Sequence, residues 1–552
     1  MSNPSQEHHR AYWFEPDTQP DTERFRFDSL VETTARTSPD RDVLVFCNDS
    51  DDVPQRISYA ALAEEIGVTA AALRASGVGR GDAVAIYGPN LPETVSVQFA
   101  CARLGAAMVP VGIHATADDL AYMVRTSGAR LLIYLDRFRD LDLGANVRRI
   151  LADCSDQITP ICIGEAAGGL TLKDWIARAE GTRVTFDEGP GMPDDTALIL
   201  FSSGTTGKPK AIPHSNATLV RRGKLTAERA GLEEACRYAH AMPFFHVGGS
   251  VTAMSTIYSV GGTQLCLPTY SPEKLAQLIA LERATAVLAV PTMMISLAGK
   301  AREHGHDFSS LRTVLTGGAI VPETVARTWI DTWKVGLSNT YGMTEMGGPI
   351  IQTAPSDPLS RSLISVGRPH PGVEVEVVST ATGDRVQMGE EGELRYRSRW
   401  IMEGYLKDGD IDRSVFTEDE WLPSGDLGVM EPDGFVRITG RVKDLIIRGG
   451  ENIAPAEVED AIRKTCPEIA DVSVAGVPDD YYGEAIAAFI CLLPGEALSS
   501  AAIRERLNCQ ISRYKIPSHW IKLERLPTTP SGKVQRFKLV EMFKEEDVNQ
   551  LT

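Results

Sequence analysis

Nine consecutive residues, Ser202-Ser203-Gly204-Thr205-Thr206-Gly207-Lys208-Pro209-Lys210, combine four hydroxyls, two glycines and two lysines. Glycine lets a backbone approach a ligand and take positive φ, so that successive N–H groups converge on anionic oxygens, and hydroxyls and ammonium groups complete such a cradle. The composition suits a polyphosphate. The run follows Thr196-Ala197-Leu198-Ile199-Leu200-Phe201, a short apolar stretch that reads as a buried strand, so the cradle is expected at a strand end. It is not the ordinary nucleotide-triphosphatase P-loop: the G-x-x-x-x-G-K-[ST] spacing is absent, and Pro209 follows the first lysine where a helix would have to run. On its own the run is also compatible with a polar surface turn.

Four further segments follow it: Tyr341-Gly342-Met343-Thr344-Glu345, Ser424-Gly425-Asp426-Leu427-Gly428, Gly440-Arg441-Val442-Lys443-Asp444 and Pro530-Ser531-Gly532-Lys533. In this order and at these approximate distances, the five segments resemble the adenylate-forming superfamily of acyl- and aryl-CoA synthetases, luciferases and peptide-synthetase adenylation domains. The resemblance covers the chain from about Phe27 to its end. It implies two half-reactions: a carboxylate attacks the α-phosphate of ATP to give an acyl-adenylate and pyrophosphate, and a thiol then attacks the adenylate. The first brings anions together, so charge neutralisation matters more than an acid or a base.

The resemblance implies a role for each matching position. Residues Ser202 to Gly207 with Lys208 and Lys210 would hold the phosphates. Glu345 would ligate Mg²⁺, since a hard divalent ion bridging phosphates takes only one or two protein oxygens plus water. Thr344 would bond a phosphate oxygen beside it. Tyr341 and Gly342 would line the nucleotide and acyl site, and Gly317-Gly318-Ala319 would lie along the adenine. Asp426 would accept the ribose hydroxyls, with an Asx-turn as the plainer alternative. Arg441 would contact ribose or phosphate, or else make only a surface salt bridge. Lys533, in the turn-rich Thr528-Thr529-Pro530-Ser531-Gly532, would reach into a cleft between a large and a small domain and hold the attacking carboxylate against the α-phosphate. Lys443 matches the hinge about which the small domain turns between the two half-reactions, and Gly449-Gly450 would leave room for the pantetheine arm of CoA. His246, in Pro243-Phe244-Phe245-His246-Val247-Gly248-Gly249, matches a position near the substrate carboxylate, against the alternative of a satisfied core histidine. Val247, Gly248 and Met293 are further candidates for the pocket wall. No acidic residue in that stretch could meet an α-ammonium, which disfavours an amino-acid substrate. One position departs from the family pattern: Ala211 stands where Gly usually follows Lys-Pro-Lys. Tolerance is expected there.

Apolar strand-like runs alternate with longer helical patterns through the first 360 or so residues, as at Ala83–Tyr87, Glu93–Leu104, Ala107–Val111 and Arg130–Tyr134, and again at Ala286–Val290 and Thr313–Thr316. This predicts β-α units with largely parallel sheets. The expected fold is α/β: a large N-terminal region of residues 1–440, made of two doubly wound subdomains (about 1–190 and 191–365) and a small β-rich subdomain (366–440), followed by a mobile α+β domain at 441–552. In the last of these a helix from Pro455 would bury Val458, Ala461 and Ile462, beside strands at Val472–Val477 and Ala487–Leu492.

With 552 residues the chain exceeds a single core. Its net charge of −18 argues against nucleic acid or an anionic membrane as the main partner, so local positive charge and Mg²⁺ must overcome the global field where ATP and CoA bind. The first ten residues carry no apolar h-region, no run reaches the ~20 apolar residues of a membrane span, and nine scattered cysteines without a C-x-x-C pair fit reduced thiols. The compartment expected is the cytoplasm. The reading is an ATP- and Mg²⁺-dependent ligase joining an apolar acyl or aryl carboxylic acid to CoA. Its alternative is an acyl-AMP ligase that hands the acyl group to a carrier protein, which the lack of a long insertion before the small domain disfavours. A catalytically inert adenylate-binding protein would have lost Lys533 or Glu345, and both are present. The sequence leaves the acid itself open, and equally whether the chain forms a homodimer.

Overall fold

The structure, a computed structural model, describes residues 10–18, 26–48, 53–154, 158–164, 169–179, 181–202, 208–319, 321–448, 451–479, 481–508, 510–528, 534–545 and 549–550. The chain parts into two compact units. One is Phe14–Glu374 with Arg397–Trp421; the other is Met1–Trp13, Val375–Tyr396 and Leu422–Thr552.

The larger unit is α/β, with two extended sheets. In the first, the strands run in the lateral order Asp410–Asp412, Tyr405–Lys407, Lys210–Ser215, Thr196–Ser202, Ala107–Val111, Ala83–Tyr87, Ala129–Leu135 and Thr159–Ile163. The last five are parallel, and the other three extend the sheet antiparallel. Its central strands are buried on both faces, as parallel sheets require. Ala83, Ala85 and Tyr87 enter one apolar core while Val84 and Ile86 enter another. That second core continues into the other sheet through Val43, Val314 and Leu315. The other sheet orders Arg368–Pro369, Gly348–Gln352, Gly336–Met343, Thr313–Gly317, Ala286–Leu288, Arg237–His240, Thr263–Cys266, Asp42–Phe46 and Gln55–Ser58, parallel throughout its middle.

Helices between the strands are punctuated locally. Pro92–Leu104 begins with proline in its first turn and ends at Gly105 in the left-handed region, and Asn216–Arg229 is capped by the Ser215 side chain accepting from the Thr218 N–H.

The sheets do not follow the division at residue 190. Strands Asp42–Phe46 and Gln55–Ser58 lie in the second sheet, whereas Thr196–Ser202 and Lys210–Ser215 lie in the first. Crossover connections let chain neighbours join different sheets, so membership follows lateral hydrogen bonding and not chain order. The 366–440 segment is likewise shared. Arg368–Pro369 edges the second sheet, Tyr405–Lys407 and Asp410–Asp412 edge the first, and the remaining strands belong to the smaller unit.

In that unit Tyr12–Phe14, Glu374–Val378, Glu391–Arg397, Leu422–Met430 and Val436–Arg441 form a five-stranded sheet. A further sheet, beginning at Ile446, pairs Ile469–Asp479 with Gly483–Leu492 and is covered by the helix Pro455–Thr465, which buries Val458, Ala461 and Ile462. No described helix is long and apolar enough to cross a membrane. Cys101, Cys236, Cys266, Cys466 and Cys491 are buried thiols in no disulfide.

Candidate active site

In the larger unit, the stem of the glycine-rich segment is an antiparallel pair. Strand Thr196–Ser202 returns as Lys210–Ser215, with Ser202 opposite Lys210. The segment therefore opens at a strand end but leads into a returning strand, not a helix, which agrees with Pro209 and the missing P-loop spacing. Ser203, Gly204, Thr205, Thr206 and Gly207 lie outside the described residues. The Lys208 ammonium sits 5.5 Å from the Tyr122 ring centroid and that of Lys210 4.4 Å from the Tyr405 ring. Ala211, the departure from the family pattern, is a buried strand residue between Phe201 and Leu406 in register. A methyl group there is core packing.

Glu345 is carried by the turn of a hairpin. Strand Gly336–Met343 ends in a short 3₁₀ helix, Thr344–Met346, and returns as Gly348–Gln352. The side chain is 7% exposed, which sets aside a solvated loop carboxylate. Its Oε1 accepts from the Tyr405 hydroxyl at 3.1 Å and, more weakly, from the Ser202 hydroxyl at 3.4 Å, and its main-chain carbonyl accepts from Met402 N–H at 2.9 Å. Burial and the neighbouring Glu345 carboxylate push the Tyr405 phenol above its ordinary range, so it remains a donor. The structure thus brings Ser202, Lys210 and Glu345 together around Tyr405. Sequence reasoning missed Tyr405 because it sits in a three-residue strand among turns and belongs to no motif of charge or glycine.

These donors fit a magnesium ion that arrives with ATP. Among the described residues no group of three or more His, Cys, Asp or Glu could hold a metal by itself, whereas one buried carboxylate beside hydroxyls and an ammonium suits an ion ligated mostly by phosphate and water. Glu345 is the residue that would hold it.

Two glycines expected to admit the nucleotide have a reason inside the fold. A Cβ on Gly342 would lie 2.0 Å from the Gly348 carbonyl oxygen across the hairpin, and one on Gly317 would lie 2.4 Å from that of Thr340, its parallel partner. Close backbone approach alone demands glycine at both. Gly318 follows at φ +77° in an open turn, with Ala319 exposed beside it. Tyr341 is half-buried opposite Ile351.

His246 is also half-buried. Its Nδ1 accepts from the Gly248 N–H at 3.1 Å and its carbonyl accepts from the Ser250 hydroxyl at 3.1 Å, which locks the turn into a π-helical segment, Gly248–Ala253. Such segments widen a helix and recur at functional sites. Val247 and Met293 are buried in the core of this unit.

In the smaller unit, Asp426 and Arg441 face each other across the pair Leu422–Met430 and Val436–Arg441, with the guanidinium Nε 3.0 Å from Oδ1. Asp426 is mostly buried and Arg441 half exposed. The Ser424 hydroxyl donates to the Leu394 carbonyl at 2.7 Å and accepts from the Asp426 N–H at 3.0 Å, which holds the turn that presents the carboxylate. The salt-bridge alternative is therefore partly realised: Asp426 carries an ion pair with Arg441 as well as a carboxylate suited to hydroxyls. Lys443 is exposed in a short 3₁₀ segment, Val442–Asp444, whose Asp444 is held by Arg536 at 2.8 Å. Gly449, Gly450 and Lys533 lie outside the described residues.

Residues 31–406 match the AMP-binding enzyme family and residues 457–533 match the AMP-binding enzyme C-terminal domain. The chain is 34% identical over 539 residues to the protein YngI of Bacillus subtilis (strain 168), covering 93% of this chain and 97% of that one. It is 30% identical over 541 residues to the medium-chain acyl-CoA ligase ACSF2, mitochondrial, of Rattus norvegicus, covering 93% and 87%. Among solved structures, the anthranilate CoA ligase AuaEII in complex with anthranoyl-AMP superposes with a TM-score of 0.84 at 25% identity, over 95% of this chain and 98% of that one. A buried glutamate at a hairpin turn, a hydroxyl- and lysine-bearing strand stem and these matches along nearly the whole chain agree: the chain belongs to the AMP-binding enzyme family, in the acid-CoA ligase branch of the adenylate-forming enzymes.

Proposed function

We propose that this protein activates an apolar acyl or aryl carboxylic acid with MgATP and transfers the acyl group to CoA. The observation that carries the reading is the buried Glu345 carboxylate gathered with Ser202, Lys210 and Tyr405 where the glycine-rich segment leaves its strand. That arrangement serves anion neutralisation, the main requirement when a carboxylate attacks a phosphate. Magnesium, entering with ATP, supplies charge neutralisation at the phosphates.

In the first half-reaction a carboxylate oxygen bonds to the α-phosphorus, the bond from that phosphorus to the bridging oxygen breaks, and pyrophosphate leaves. Lys208 and Lys210 offset phosphate charge, Thr344 donates to a phosphate oxygen, and Lys533 orients the incoming carboxylate. Asp426 accepts from the ribose hydroxyls, with Arg441 holding it in place. In the second half-reaction the CoA thiol, losing its proton, bonds to the acyl carbon and AMP leaves. Lys443 is the hinge whose backbone changes between the two halves, and Gly449-Gly450 leave space for the pantetheine arm. An apolar acid is supported by the stretch Pro243–Gly249, which holds His246 and no carboxylate to receive an ammonium. ACSF2, named for medium-chain acyl groups, and AuaEII, named for anthranilate, are consistent with that class.

The test is product analysis by mass spectrometry after incubation with ATP, Mg²⁺, CoA and a panel of fatty, alicyclic, aromatic and amino acids. An acyl-CoA from an apolar acid is expected. An adenylate that accumulates unchanged when CoA is present, or a product from amino acids alone, would overturn the proposal.

A further inference from the structure

Glu345 stands at the centre of the site, yet a glutamate side chain has three rotatable bonds and needs something to aim it. The hairpin turn fixes only its backbone. What reaches the carboxylate comes from the edge of the first sheet, where Leu406 pairs with Ala211 and Ser202 pairs with Lys210. This register sets Tyr405 beside the stem, with its ring under the Lys210 ammonium at 4.4 Å and its hydroxyl 3.1 Å from Glu345 Oε1. The chain leading into Tyr405 is pinned twice more. Met402 N–H donates to the Glu345 carbonyl at 2.9 Å, and the buried Arg222 donates through Nη2 to the Trp400 carbonyl at 2.9 Å. A slip of one residue would put Leu406 where the phenol stands, because side chains alternate along a strand.

We infer that Tyr405 is the positioning residue for Glu345: its hydroxyl occupies Oε1 so that Oε2 is presented to the magnesium of MgATP, and its ring ties that aim to the Lys210 end of the phosphate-binding segment. The inference rests on the reading of Glu345 as the magnesium ligand. A charged acceptor makes this the stronger kind of hydrogen bond, and the 3.1 Å contact fixes which carboxylate oxygen it engages.

The experiment is calorimetric titration of ATP into the full chain, once with Mg²⁺ and once with a chelator, for the parent, Tyr405→Phe, Glu345→Gln and the double variant. Phenylalanine keeps the ring beneath Lys210 and removes only the hydroxyl. Tyr405→Phe is expected to lose about tenfold in affinity with Mg²⁺ and nothing with chelator, and to add no further loss in the Glu345→Gln background, since the two residues act as one unit. Equal losses with and without Mg²⁺, losses that add in the double variant, or no loss at all would overturn the positioning role. A parent protein whose ATP affinity ignores Mg²⁺ would instead overturn the assignment of Glu345 on which the inference rests, and the inference with it.

Discussion

Acid should loosen the larger unit through histidines that the fold keeps neutral. His214, in the strand Lys210–Ser215, is buried beside the Thr344 backbone, and burial is the main cause that brings it down to about 4, with Arg222 adding to the shift. His240, buried at the end of Arg237–His240, is brought down to about 3 by burial. His370 is driven down by burial and then by Arg222, Arg229 and Arg221. The sign follows from linkage. These folded values lie below the ordinary histidine value, so the stability they contribute is fully present above about pH 6.5. It is lost as pH falls toward the folded values, because the unfolded chain takes protons that the folded chain refuses. A histidine that stays neutral in the fold and titrates near 6.5 when unfolded costs about 2 kcal/mol between pH 7.5 and pH 5. His214→Leu removes one such proton. Urea unfolding followed by tryptophan fluorescence at the two pH values should show the variant losing about 2 kcal/mol less than the parent. Because the comparison is between variants, carboxylates that titrate in both cancel. If the variant loses as much stability as the parent over that interval, His214 is not held neutral by burial and the reasoning fails.

Other outcomes follow from the site. Gly342→Ala places a methyl 2.0 Å from the Gly348 carbonyl oxygen, so the hairpin carrying Glu345 must shift; a loss of about 1–3 kcal/mol in stability should accompany a fall in ATP–pyrophosphate exchange, and full exchange in a destabilised variant would show that the turn tolerates the shift. Asp426→Asn should weaken ATP binding about tenfold by calorimetry with little change in melting temperature, because its partner Arg441 is half exposed; unchanged affinity would remove Asp426 from the nucleotide site. Lys443→Pro should spare adenylate formation and slow thioester formation at least about tenfold, measured as separate half-reactions; an equal loss in both would remove the hinge role.

Charged residues within short motifs are the most legible candidates. Glu345 and Asp426 stood out within short motifs, and both are buried carboxylates in the fold. Alternating apolar runs identified the parallel strands, because buried strands need continuous apolar residues. Sheet membership was not legible: Asp42–Phe46 joins strands more than 200 residues away, and periodicity carries no information about lateral partners. Tyr405 escaped for the same reason, since long-range pairing such as the register Leu406 to Ala211 brings it to Glu345. Gly342 and Gly317, read from the motifs as ligand-facing, are each required by a neighbouring carbonyl before any ligand is considered. The aromatic and hydroxyl content around Glu345 is thus a product of sheet geometry, assembled from three separate stretches of chain.

The claim that the carboxylic acid attacks the α-phosphate is tested most directly by isotope transfer. The acid that gives the strongest acyl-CoA product is supplied with both carboxylate oxygens as ¹⁸O, and the nucleotide product is analysed by mass spectrometry. The account predicts AMP carrying one ¹⁸O atom, with pyrophosphate unlabelled. Unlabelled AMP, or ADP together with labelled inorganic phosphate, would contradict it.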